Sequence, residues 1–194
     1  MKTRMKLLFA AAALLPLAGC FGGAKAPPQL LTLHAAAARP IGQPRTAAQG
    51  NVITVTSPAV PHELAATRVP VYVSPTSVQY LKAGVWADKP AELFRQMLSE
   101  TIAARSRWVV VDPSVYTQVQ GVVLGGQLLQ FGYDPNAGQA VVQFEASVAR
   151  PQKAVSTNRF EARVASAADA VSVAAALNQA ANQVAGQVAD WVEH

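Results

Sequence analysis

Apolar positions alternate with polar ones in some stretches of the chain and recur every three to four residues in others. These two periods predict strands and helices respectively. The clearest alternation lies in Val122 to Phe131 and Gln139 to Arg150, where Val142, Phe144, Ala146 and Val148 share one face. Tyr133-Asp-Pro-Asn-Ala-Gly138 between them is rich in turn residues, so the two strands read as a hairpin. A second turn at Arg150 to Lys153 leads to a third strand. Its Phe160, Ala162 and Val164 face inward and Arg159, Glu161 and Arg163 outward, which makes an antiparallel meander. The longer period occurs twice. Leu93, Phe94, Met97, Leu98 and Ile102 predict a helix over about 90–105, opened by Asp88-Lys89-Pro90 with proline in the first turn. Val173, Leu177, Ala180, Val184, Val188 and Trp191 predict another over about 167–192. Ser166 and Asp169 have the spacing of a capping box before it, and Asn178, Asn182, Gln183 and Gln187 form its polar side.

The first half of the chain is less regular. Gln29 to His34, with Leu30, Leu31 and Leu33, predicts a short strand, and Ala35 to Asn51, with two prolines and two glycines, a loop. Val52 to Val60 alternates as a strand. Thr67 to Val73 is a valine-rich strand interrupted by Pro70, which has no N–H for a ladder and therefore predicts an edge strand or a bulge. Val78 to Trp86 predicts a hairpin, and Trp108 to Val111 a short buried strand ended by Asp112-Pro113. The sum is an α+β fold: a single antiparallel or mixed β-sheet packed on one face by two main helices.

The N-terminus follows neither period. Lys2, Arg4 and Lys6 precede an apolar run from Leu7 to Leu15, and small residues lead to Cys20, which is the layout of a secretory signal. The run is short of the roughly 20 residues that a spanning helix needs. Leu17-Ala18-Gly19-Cys20 resembles the lipobox of bacterial lipoproteins. That resemblance implies acylation of Cys20, palmitate among the chains, with Cys20 as the first mature residue. Phe21 stands where an inner-membrane retention signal would place Asp, so the expected location is the periplasmic face of the outer membrane. The predicted organisation is a signal peptide over 1–19, the lipidated cysteine and a tether over 20–28, and one periplasmic domain over 29–194.

This processing changes the meaning of the charge. The whole chain carries 16 basic and 11 acidic residues, but a chain starting at Cys20 keeps 13 and 11, a net of +2. Lys and Arg are scattered singly, without the clustered positive charge that nucleic acid requires. Cys20 is the one cysteine, so the fold has no disulfide within the chain. His34, His62 and His194 have no His or Cys partner at metal-ligand spacing. No G-x-S-x-G elbow occurs, and Gly121-Val-Val-Leu-Gly-Gly126 lacks the Lys-Ser/Thr of a phosphate loop, so its glycines predict a bulge or close strand packing. Asp88, Asp112, Asp134 and Asp169 sit at predicted turns and caps. The expectation is a non-enzyme with no cofactor and no metal. Tyr80 and Trp86 are the candidate contact residues for a partner or an acyl chain if exposed; if buried, they cover the end of the first helix.

The order of the pieces resembles the auxiliary lipoproteins of ABC-type transport systems, the small partners of MCE-domain lipid transporters. The resemblance is carried by Pro27-Pro-Gln-Leu-Leu-Thr-Leu33, Val78-Gln-Tyr-Leu-Lys-Ala-Gly-Val-Trp-Ala-Asp-Lys-Pro90, Gly126-Gln-Leu-Leu-Gln-Phe131, Val141-Val-Gln-Phe-Glu-Ala146 and Ala176-Leu-Asn-Gln-Ala180. It implies a non-catalytic role beside an MCE protein and an ABC permease and ATPase, with phospholipid or another hydrophobic compound as cargo. The alternative is a structural or assembly lipoprotein of the outer membrane, such as a β-barrel partner.

Overall fold

The computed structural model describes residues 29–114 and 121–194; the predicted signal peptide, Cys20 and the tether lie outside them. In chain order the elements are β1 (Val52–Val55), β2 (Arg68–Ser74), β3 (Ser77–Val85), α1 (Pro90–Arg105), β4 (Val109–Val111), β5 (Val122–Asp134), β6 (Gln139–Ala149), β7 (Ser156–Ala165) and α2 (Ala170–Val192). The strands form one mixed sheet organised by β5, and both helices cover a single face. The fold is α+β, as the two periods predict.

The meander β5–β6–β7 is antiparallel throughout. Its inward face carries Leu124, Leu128, Phe131, Val142, Phe144, Ala146 and Val148, all buried. One irregularity keeps this face intact. Between Leu128 and Gln130, β5 holds one extra residue opposite β6. Strand side chains alternate, so without that bulge Phe131 and Tyr133 would point to the opposite face from Leu124 and Leu128. Gly126 is needed nearby for a separate reason: its φ is +143°, and a Cβ there would run into the Glu145 carbonyl oxygen. The glycines of this stretch serve close strand packing.

The other edge of β5 is shared by two parallel strands. β1 pairs with its start, Ile53 opposite Val122, and β2 with its end, Val71 opposite Tyr133. β4 adds outside β1, parallel, and β3 outside β2, antiparallel. Pro70 is thus in an interior strand and not at an edge; the register shift beside it, between Arg68 and Pro70, places the extra residues on β3, and β2 has its own extra residue between Tyr72 and Ser74. The hairpin expected within Val78 to Trp86 is absent. Ser77 to Val85 is one strand that reverses from β2 at Pro75-Thr76, and the extra β3 residues between its pairings at Tyr80 and Val85 form a bulge, with Ala83 at φ +59°.

Proline opens α1 at its first position, where the missing N–H costs nothing. For α2 the cap differs from the predicted box: Asp169 itself is the N-cap and accepts from the Val171 and Ser172 amides, while the Ser166 hydroxyl donates to the Ala167 carbonyl. The helix therefore begins three residues later than predicted. The C-termini of α1 and α2 are joined by the Arg105–Asp190 ion pair, 3.0 Å. The core between layers is fastened by aromatic pairs: Phe94 of α1 meets Phe144 of β6 edge-on at 5.1 Å, and Phe160 of β7 meets Trp191 of α2 at 5.7 Å. Phe94 and Phe144, fully buried, each contribute on the order of 2–3 kcal/mol by burial, while Phe160 and Trp191 are partly buried and contribute less.

The segment before β1 departs most from expectation. Gln29 to His34 forms no strand beyond one bridge, in which the Leu31 amide donates to Val85 and its carbonyl accepts from Ala87, both at 2.8 Å. Ala35 to Asn51 lacks regular structure over most of its length, as expected, but its first part continues an extended strap laid over the helical layer. Leu31, Leu33 and Ala35 turn toward the core and the residues between them toward solvent.

Candidate functional site

The residues singled out for contact go to different places. Trp86 follows β3, is 1% exposed, and packs its ring against Phe131 at 5.5 Å. It is a core residue, and its indole N–H has no protein acceptor among the described residues. Tyr80 lies on β3 and is half-buried; its hydroxyl donates to the Glu63 carbonyl at 3.3 Å, and the Arg68 guanidinium stacks 4.3 Å from its ring centre. Exposure was the condition for a contact role: Trp86 does not meet it, and Tyr80 meets it in part. Cys20 lies outside the described residues.

The histidines do not converge on chemistry. Among the described residues no imidazole is hydrogen-bonded to a serine or a carboxylate, and no three His, Cys, Asp or Glu side chains gather as metal ligands. His34 enters the structure through its backbone instead. Its amide donates to Asn178 Oδ1 at 2.8 Å, the Ala36 amide donates to Asn182 Oδ1 at 2.7 Å, and Asn182 Nδ2 returns a bond to the His34 carbonyl at 2.9 Å. Two of the four amides on the polar side of α2 thus stand in for a neighbouring strand. Further along, the Arg39 amide donates to Glu100 of α1, and the Arg45 guanidinium donates to the Ala103, Ser106 and Trp108 carbonyls. Arg45 thereby satisfies acceptors that the end of α1 leaves open.

On the opposite face of the sheet, β2 and β5 pair at one level only, and the space between them is a polar cleft of about 350 Å³ bounded by Glu63, Tyr72, Val78, Gln130, Asp134 and Asn136 among others. Tyr72 lies across Gly132, whose missing Cβ makes room for the ring. The Phe131 amide donates to the Tyr72 hydroxyl at 3.1 Å. Burial pushes the Tyr72 phenol up to about 12, opposed by the Phe131 amide and helped by the charge of Glu63. The phenol is therefore a hydrogen-bonding group, not a base, at neutral pH.

Four carboxylates are likewise held in structural roles. Hydrogen bonds from Ser57 and then Arg95 hold Glu92 below the ordinary range, Ser114 does so for Asp112, Arg163 for Glu161, and Ser172 for Asp169. A general acid near neutrality needs the opposite shift. The sequence reading missed Tyr72, Asn136 and the strap contacts of Asn178 and Asn182. The i,i+4 spacing of the two asparagines was the one available signal for the last pair.

A protein-family model described as the ABC-type transport auxiliary lipoprotein component matches residues 31–189, from the bridge at Leu31 almost to the end of α2. The chain belongs to that family. The auxiliary lipoprotein shares its fold with protein XCC0632 from Xanthomonas campestris, of the family designated DUF330. The two are 17% identical, with a TM-score of 0.68 over 85% of this chain and 94% of that one. It is similar also to a protein solved as uncharacterised, at 17% identity and a TM-score of 0.65, over 84% of this chain and 99% of the other. No curated protein matches it. Membership associates the chain with an ABC transport system and, as a lipoprotein family, with a membrane anchor. Among the described residues no helix is long and apolar enough to cross a membrane.

Proposed function

We propose that this auxiliary lipoprotein is a non-catalytic component of an MCE-type lipid transport system. It is held on the periplasmic face of the outer membrane by acyl chains on Cys20, and it docks on, or receives lipid from, the MCE protein and its ABC permease and ATPase. The observation that carries the reading is the family match across almost the whole of residues 29–194. It is supported by the lipobox-like Leu17-Ala18-Gly19-Cys20, and by carboxylates that are bound individually by serines, amides and arginines. Binding of phospholipid or another hydrophobic compound is the expected work, with the half-buried Tyr80 as a candidate contact.

The test is affinity purification of the acylated protein from crosslinked cells, with mass spectrometry of co-purified proteins and lipids. Recovery of an MCE protein or an ABC permease is the expected result. Recovery of an outer-membrane barrel alone, or of no transport component, overturns the reading in favour of an assembly role. In the same cells His34→Ala and His62→Ala leave transport intact, whereas a periplasmic hydrolase using either imidazole would lose activity.

A further inference from the structure

We propose that the end of the domain formed by the β2–β3 turn, the β5–β6 turn and the start of α2 rests against the lipid surface, fixing the orientation of the domain on the membrane. The inference rests on the anchoring of Cys20 proposed above and adds the face that meets the bilayer.

The path of the chain supplies the first argument. Leu31 pairs in parallel with Trp86, so the chain at this point runs in the same direction as β3, away from the β2–β3 turn. Gln29 and Leu30 therefore lie on the turn side of the bridge. The strap also rises in step with α2, since His34 meets Asn178 and Ala36 meets Asn182, so its beginning points to the N-terminal end of that helix. These landmarks belong to one end of the domain. Asn136 of the β5–β6 turn donates to the Val73 carbonyl at 3.0 Å, the Ser166 amide before α2 donates to the Gly138 carbonyl at 2.9 Å, and the Tyr133 hydroxyl donates to Ser166 at 3.4 Å.

The length of chain between anchor and domain supplies the second argument. Nine peptide steps separate Cys20 from Gln29, and they reach at most about 30 Å when fully extended. By comparison β5, at 13 residues, is on the order of 40 Å long. A tether of that reach brings the near end to the membrane but does not by itself choose a tilt.

Exposed apolar side chains choose it. Among the described residues seven large hydrophobics are exposed: Val73, Val78 and Val171 lie at this end, Leu30 lies beside the Trp86 bridge and so farther from the β2–β3 turn, and Ile41, Val123 and Val155 lie elsewhere. Val73 and Val78 flank the β2–β3 turn with Pro75 between them, Val171 is in the first turn of α2, and Leu30 directly precedes the bridge. No single one is unusual on a protein surface. What singles out Val73, Val78 and Val171 is that they share the end toward which the beginning of the strap points. The occupant that fits is the bilayer interface, because the covalent acyl chains would hold this end against it.

The experiment uses the full acylated protein in vesicles of phosphatidylethanolamine and phosphatidylglycerol. Single variants Val78→Cys, Val171→Cys, Val123→Cys and Val155→Cys carry an environment-sensitive fluorophore on the new thiol, and folding of each is checked by circular dichroism. Lipids with a shallow nitroxide quencher are then added. The expected result is at least threefold stronger quenching at 78 and 171 than at 123 and 155, and loss of that contrast at 171 when Val73→Asp and Val78→Asp are introduced together. Equal quenching at all four positions in protein that floats with the vesicles overturns the orientation alone. Protein that does not float overturns the anchor, and the orientation falls with it.

Discussion

The β5–β6–β7 meander with α2 and the part built from the strap and β1 to β4 are halves of one sheet and one core, yet they are assembled on different terms. In the meander each strand pairs with the next through a short turn, and the inward side chains follow a period visible in the sequence except across the one bulge in β5. In the other half the partners are remote. β1 sits between strands that follow it by more than fifty residues, and the strap is held by amides 144 and 146 residues away. The first half is specified by its own apolar pattern. The second is completed by polar groups that borrow a surface made elsewhere, a costlier closure in chain entropy.

That difference is open to direct attack. The largest effect belongs to the shared core: Phe144→Ala removes the partner of Phe94 and should cost about 3–5 kcal/mol. Chemical denaturation should show both halves unfolding together at a lower midpoint; two separate transitions would mean that the halves are independent. Next is the strap. Asn178→Ala combined with Asn182→Ala leaves the His34 and Ala36 amides without their acceptors and should cost roughly 2–3 kcal/mol. Amide exchange should rise at residues 31–39 while β6 and β7 keep their protection. Uniform acceleration would show that the strap is part of the global folding unit.

The smallest effect at neutral pH comes from Tyr72. Its phenol is raised from 10 to about 12 in the folded protein, so the neutral form is the one that folding favours. The stability linked to it is whole below pH 10 and is lost as pH rises from there through 12, on the order of 2 kcal/mol. Tyr72→Phe should cost about 1 kcal/mol at pH 7, because the Phe131 amide loses its acceptor. The variant should then lack that step of alkaline destabilisation in thermal melts recorded between pH 9 and 12. A wild-type melt that is flat across this interval would sink the assignment.

Much of the candidate surface escaped the sequence because its residues have ordinary local explanations. Tyr72 reads as one more position in a valine-rich strand, and only the narrow approach past Gly132 turns its ring over the outer face of the sheet. Trp86 illustrates the reverse. A tryptophan after a strand and before a helix is equally suited to an interface or a core, and burial against Phe131 decides for the core. Asp169 and Ser166 had the spacing of a capping box, but the backbone geometry at Asp169 gives the cap to the carboxylate. In each case residue types limited the options and a distant neighbour selected among them.

The sequence by itself determined the meander, the extent of α1, the existence of α2 and the α+β class, because periodic burial is a local property that each element carries in its own side chains. It also supplied the resemblance at Cys20 and across the domain on which the family reading began. Only the tertiary structure decided that β1 and β2 share one edge of β5, that Ser77 to Val85 is one bulged strand and not a hairpin, and that the segment after Gln29 lies over the helices as a strap. Those features depend on hydrogen bonds between groups far apart in the chain, and such partners leave no period in the sequence to read.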